Sequence, residues 1–258
     1  MSKLDHIIKP ATDKKLLIVI PHHPDKYGDI KITIAAWQKF CTFDYELVVI
    51  GDYDRELESI FTDVTFIYCD RAGTVKNQYM PHIDLANKYS LIMSKYDSTY
   101  DGFVRLADDH YAVKNFVLDD ILTTHYHQPS FTGDKSKPTS YWKHDIWKTR
   151  QLLDKEKLPH VNYTTHFPFY VEFCKTKELC DKYNLTHNSY CFESLYFNYY
   201  SHEDPVIDSD IRYAICNRED SLRANIQNAI NNTSIKFLFS SNDGWSEYLH
   251  KQLKELIQ

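Results

Sequence analysis

Four short apolar runs, each closed by polar residues, constrain this chain more than any other feature. LLIVI (16–20) ends at Pro21, His22 and His23, and ELVVIGD (46–52) ends at Gly51 and Asp52. VTFIYCD (64–70) leads into Asp70 and Arg71, and GFVRLADD (102–109) into Asp108, Asp109 and His110. Runs with apolar character on both faces fit strands that are covered on two sides. Between them the period changes: Ile30, Ile34, Trp37 and Phe40 recur at helical spacing, as do Ile83, Ala86 and Leu91 after Gly73. This alternation predicts an α/β fold, a mostly parallel, Rossmann-like sheet flanked by helices. In such sheets ligands collect at the C-terminal ends of the strands, where loops and helix N-termini converge.

With 258 residues, 43% hydrophobic and 15% aromatic, the chain is predicted to build one substantial core, residues 1–118 as the α/β half and 119–258 as a second half of the same domain. Thirty Lys and Arg against 36 Asp and Glu leave a formal charge of -6, so nucleic acid is not an expected partner. The six cysteines are scattered without a C-x-x-C pair, which signals neither a zinc cage nor a disulfide framework. No apolar stretch approaches the roughly 18 residues of a spanning helix, and the polar opening MSKLDHIIKPATDKK has no apolar centre, so a soluble, cytoplasmic protein is expected.

The second half is less regular. Residues 119–168 show no clean period and read as long loops and short elements around a site. Helical spacing returns in SYCFESLYFNYY (189–200), through Phe192, Leu195, Tyr196 and Tyr199, and again in the closing GWSEYLHKQLKELI.

The acidic end of the fourth run raises the chemical question. Asp at a strand end can simply cap a turn. At the tip of a central strand, however, two adjacent carboxylates repel unless a cation lies between them, and hard oxygen ligands suit Mg²⁺ or Mn²⁺. If the chain is extended here, Asp108 and His110 point to one side and Asp109 to the other.

The arrangement resembles the GT-A glycosyltransferases, whose D-x-D or D-x-H motif ends a central strand. LLIVIPHHPDKYGDIKITIAAWQ looks like that family's first strand and donor loop, ELVVIGD its second strand, and RLADDH its metal strand; NYTTHFPFYVEF and FESLYFNYY resemble acceptor-side segments of bacterial capsule and cell-surface enzymes. The resemblance implies a GT-A fold with a nucleotide-sugar-binding first half and an aromatic-rich, acceptor-side second half. It implies Mn²⁺ or Mg²⁺ at Asp108, Asp109 and His110, with the metal pair left open because His110 stands where a strict D-x-D has its second Asp. Pro21, His22 and Asp52 would lie by the base or ribose, and Lys76, Asn77 and Arg105 by the diphosphate or sugar. His166 in THFP is a candidate ligand or catalytic residue, or a packed loop histidine. Glu193 in CFES, partly stripped of water beside Tyr196, Phe197 and Tyr200, fits a general base.

The expected activity is metal-dependent transfer of a hexosyl-type sugar from a nucleotide-sugar, a UDP-sugar first among them, to a carbohydrate acceptor. A nucleotidyltransferase on a related fold is the nearest enzymatic rival, but no G-x-G-x-x-[ST]-R-like loop follows the first strand. A non-catalytic sugar- or nucleotide-binding module, and a transferase acting on modified nucleic acid, are the remaining readings.

Overall fold

Leu16 to Ile20 offer no polar face to water, and the fold gives them none. The computed structural model describes residues 15–23, 30–75, 78–131, 141–200, 205–241 and 243–258; Lys76 and Asn77 lie outside the described residues. In chain order the elements are β1 (Leu16–His22), α1 (Ile30–Phe40), β2 (Tyr45–Gly51), α2 (Arg55–Ile60), β3 (Thr65–Tyr68), the hairpin β4 (Thr74–Val75) and β5 (Gln78–Tyr79), α3 (Pro81–Tyr96), β6 (Gly102–Arg105) and β7 (His110–Ala112). They continue as α4 (Leu118–Leu122), β8 (His125–Tyr126), α5 (Tyr141–Glu156), β9 (Phe169–Glu172), α6 (Phe173–Tyr183), α7 (Phe192–Tyr200), β10 (Val206–Ile207), β11 (Arg212–Ile215), α8 (Arg223–Asn231), β12 (Phe237–Ser240) and α9 (Glu247–Ile257).

The main sheet has the order β3-β2-β1-β6-β9. Its first four strands run parallel and β9 is antiparallel to β6. Alternate residues of β1 enter opposite cores. Leu17 and Val19 join Tyr89 and Ile92 of α3 with Phe192 and Leu195 of α7, while Leu16, Ile18 and Ile20 join Ile34 and Trp37 of α1. Both faces are therefore covered, which is why the run shows no alternation; each such side chain contributes about 1.5–3 kcal/mol by burial.

A smaller sheet, β11-β12-β7, carries the chain beyond the acidic end of β6. Its Tyr111, Leu238 and Ile215 pack on Ile226, Leu249 and Leu253 of α8 and α9; the opposite face, with Ala112 and Phe237, joins the α1 core. Residues before and after position 118 interleave in both sheets, since β9 pairs with β6 and β12 with β7.

Two readings of the sequence change. Residues 141–156, taken as loop, form the sixteen-residue helix α5. The fourth strand ends at Arg105, and Asp108 and Asp109 occupy a turn, so the strict two-sided alternation of extended chain does not apply to the acid triplet. Thr33 on α1 holds that turn by donating from Oγ1 to the Asp108 carbonyl at 2.7 Å.

Candidate active site

The polar edge of the main sheet is built by a close approach of strand tips. His22 ends β1 opposite Gly51 of β2. Gly51 has φ of +152°, and a Cβ there would lie 2.0 Å from the His22 carbonyl oxygen, so glycine is required for the two tips to meet. That carbonyl accepts from Lys88 Nζ at 3.3 Å. Lys88 is itself buried and paired with buried Asp84 at 2.8 Å, and Asp84 also accepts the Ala72 N–H at 2.8 Å. Helix α3 thereby fixes both the end of β1 and the loop after β3. Beside them, Arg71 Nε and Nη2 donate to Asp52 Oδ2 at 3.3 and 3.2 Å, with His23 Nδ1 3.2 Å from the same oxygen. Burial first, then the nearby Arg71 and Lys88 charges, hold the His23 pKa below the usual imidazole value. Pro21 is half-buried one residue before His22, and exposed Tyr53 and Tyr68 meet edge to face at 4.7 Å beyond Asp52.

The acidic turn lies at the tip of β6. Asp108 is 27% exposed, its Oδ2 3.6 Å from Nδ1 of buried His22. Asp109 is 30% exposed, its Oδ1 3.7 Å from Nε2 of His110. His110 itself is 1% exposed and its Nδ1 accepts the Ala107 N–H at 3.5 Å. Burial, followed by the charges of Arg105 and Arg212, pushes its pKa well below the imidazole range, so the ring is neutral. A neutral ring that accepts at Nδ1 carries its proton at Nε2 and presents a donor there. Hard oxygen donors for Mg²⁺ or Mn²⁺ are thus available from the two carboxylates. Among the described residues no three His, Cys, Asp or Glu side chains converge as a ready-made cage.

Behind the turn, His166 stacks on Phe239 at 4.2 Å and meets His110 edge to face at 6.4 Å. Its backbone is left-handed, with φ of 46°, a strained conformation for a histidine. Burial, then Arg105 and Arg212, lower its pKa to about 3, which makes it a poor base near neutral pH. Arg105 at the end of β6 lies over Phe169, its guanidinium 5.8 Å from the ring. Glu193 is half-buried in the first turn of α7, and its charge acts on Tyr89 and His82.

Arg212, which opens β11, was not legible as a site residue; only its place before the apolar YAI set it apart. It is 6% exposed and pairs with Asp208, whose Oδ2 also lies 3.5 Å from His127. Arg212 Nε and Nη1, Arg105 Nε and His110 Nε2 find no acceptor among the described residues. A buried donor left unmatched costs about 1–3 kcal/mol.

No protein-family model and no curated protein matches this chain. Among solved structures it is similar to apo mouse Xyloside xylosyltransferase 1, at 11% identity over 89% of this chain and 98% of that one, with a TM-score of 0.45. It is also similar to a glycosyltransferase involved in glycosylation of the PBCV-1 major capsid, at 12% identity over 95% and 100% of the two chains and a TM-score of 0.43. A third is the apo form of the glycosyltransferase GlyE of Streptococcus pneumoniae TIGR4, at 11% identity over 95% of this chain and 60% of that one, with a TM-score of 0.42.

Proposed function

We propose that the protein is a glycosyltransferase that takes a sugar from a nucleoside diphosphate sugar, a UDP-sugar first among candidates, and passes it to a carbohydrate acceptor. The observation that carries this reading is the turn of two part-exposed carboxylates, Asp108 and Asp109, at the tip of a central parallel strand, next to the tips that present His23, Asp52 and Arg71. Ligands gather at this end of parallel sheets, so carboxylates there face a substrate rather than bulk solvent alone.

In this reading Asp108 and Asp109 hold Mg²⁺ or Mn²⁺, and His110 directs its Nε2–H toward Asp109 instead of ligating. The bound cation would offset charge on the leaving diphosphate. Asp52, kept in place by Arg71, accepts from a ribose hydroxyl or base N–H, and the Tyr53–Tyr68 edge offers an aromatic face to a base. Pro21 and His22 form the floor beneath the ribose. Arg105 lies by the transferred sugar, and Glu193 takes the proton from the acceptor hydroxyl. His166, neutral and stacked on Phe239, shapes the pocket wall.

The test is release of nucleoside diphosphate from a panel of nucleotide-sugars with Mn²⁺, with and without carbohydrate acceptors. One donor is expected to turn over, and Glu193→Gln is expected to slow transfer by about two orders of magnitude while donor affinity stays within a few fold. Failure of every donor, combined with retained nucleotide binding, would favour a non-catalytic nucleotide- or sugar-binding module.

A further inference from the structure

The tips of β1 and β6 lie side by side, because Ile18 and Val19 pair with Val104 and Arg105 and the Leu106 N–H extends the ladder to the Val19 carbonyl. One polar side chain from each strand end meets the other. His22, at the end of β1, is 5% exposed, and its Nδ1 lies 3.6 Å from Oδ2 of Asp108, in the turn after β6. That separation is beyond a hydrogen bond. Neither Nδ1 nor Nε2 of His22 has a hydrogen-bond partner among the described residues.

A buried imidazole with both nitrogens unmatched calls for a partner from outside the chain, a water, an ion or a ligand. The spacing indicates which kind. Two donor atoms that share one divalent ion, with bonds of about 2.0–2.2 Å and angles between octahedral and tetrahedral, stand about 3.0–3.6 Å apart. Both donors are also held from behind. Lys88 on α3 donates to the His22 carbonyl at 3.3 Å, and Gly51 lets β2 close on that same carbonyl, whereas Thr33 on α1 donates to the Asp108 carbonyl at 2.7 Å. Supports of this kind fix the direction of ligating side chains. His110, the histidine of the acidic triplet, is placed differently: its Nδ1 faces the Ala107 N–H at 3.5 Å, and its ring meets Phe239 edge to face at 5.8 Å.

We propose that His22 is a ligand of the divalent cation, through Nδ1 and beside Asp108, so that the site draws its imidazole from the end of β1 and not from the acidic triplet. This deepens, and rests on, the reading of the acidic turn as metal-binding. Its consequence is metal choice. Carboxylates accept Mg²⁺ and Mn²⁺ alike, whereas an imidazole nitrogen suits first-row transition metals and not Mg²⁺. The site is therefore selective for Mn²⁺ over Mg²⁺, and diphosphate and water oxygens fill the remaining positions.

The experiment is pulsed electron paramagnetic resonance of Mn²⁺ bound to the full chain with UDP, and with GDP in parallel, read for the nitrogen coupling that a directly ligated imidazole imprints on the echo. The parent is expected to show this coupling, His22→Gln to lose it, and His23→Gln and His110→Gln to keep it. In calorimetric titrations with the same nucleotides, Mn²⁺ is expected to bind the parent about tenfold or more tighter than Mg²⁺, and His22→Gln to lose that preference. If His22→Gln does not fold, coupling retained in both other variants assigns it to His22 by elimination, and its loss in either overturns the proposal. Coupling that survives in folded His22→Gln overturns it too. Bound Mn²⁺ without nitrogen coupling in the parent overturns the proposal but leaves an all-oxygen site and the metal-dependent reading intact. Absence of Mn²⁺ binding with UDP, with GDP and without nucleotide overturns both, so the two failures are distinguishable.

Discussion

At the scale of single residues, the polar edge depends on side chains whose roles follow from their neighbours more than from their type. Asp52 and Asp108 were legible because each ends an apolar run, and Gly51 because it precedes an acid at a strand tip. Arg212, Lys88 and Asp84 were not legible: each becomes significant only when the fold brings a distant partner, such as the His22 carbonyl for Lys88. Gly51 gives a residue-scale prediction. At φ of +152° with a Cβ 2.0 Å from the His22 carbonyl oxygen, Gly51→Ala must displace a strand tip, and a loss of about 2 kcal/mol or more is expected in urea unfolding. Unchanged stability would show that the β1 and β2 tips are free to separate.

At the scale of elements, strands and amphipathic helices were readable where apolar residues alone face a core. Helix α5 was hidden because two of the positions on its buried stripe are polar: Asp145 and Thr149 precede Leu153 at helical spacing and all three are fully enclosed. Their partners explain the burial. Asp145 bonds His82 at 2.8 Å and accepts from Ser189, and Thr149 Oγ1 accepts the Cys191 N–H at 2.8 Å. Burial opposes a charge on His82, but adjacent Cys191 and Asp145 outweigh it and raise its pKa well above the imidazole range; for Asp145 burial is likewise outweighed by His82 and Ser189, which lower its pKa. Removing one member of a buried pair leaves the other uncompensated, so Asp145→Asn is expected to cost about 3 kcal/mol. The pH window follows from the signs. The His82 contribution is complete below its unfolded pKa of about 6.5 and is lost as pH rises through the folded value, whereas the Asp145 contribution is complete above about 4 and is lost in acid. The stability difference between parent and Asp145→Asn should therefore be largest between about pH 4 and 6.5 and shrink above neutrality. A difference that stays the same from about pH 5 to well above neutrality would mean that His82 is not charged in the fold.

At the scale of the whole molecule, sheet class and the polar edge with the candidate site were legible, because period and strand-end polarity are local properties. The small sheet was not, since β7 is three residues long and finds its partner β12 more than a hundred positions later. That pairing turns the chain after Arg105 and puts Asp108 and Asp109 in a turn instead of on a continuing strand. Both carboxylates stay part-exposed at the junction of the two sheets, and the central claim is that they bind a nucleoside diphosphate through a divalent cation. Calorimetric titration of UDP, and of GDP in parallel, with Mn²⁺ and with EDTA tests this most directly. The account predicts binding with Mn²⁺ at least about tenfold tighter than in EDTA, and loss of that advantage in both Asp108→Asn and Asp109→Asn. Equal affinity with Mn²⁺ and EDTA, or full metal dependence in both variants, would contradict it.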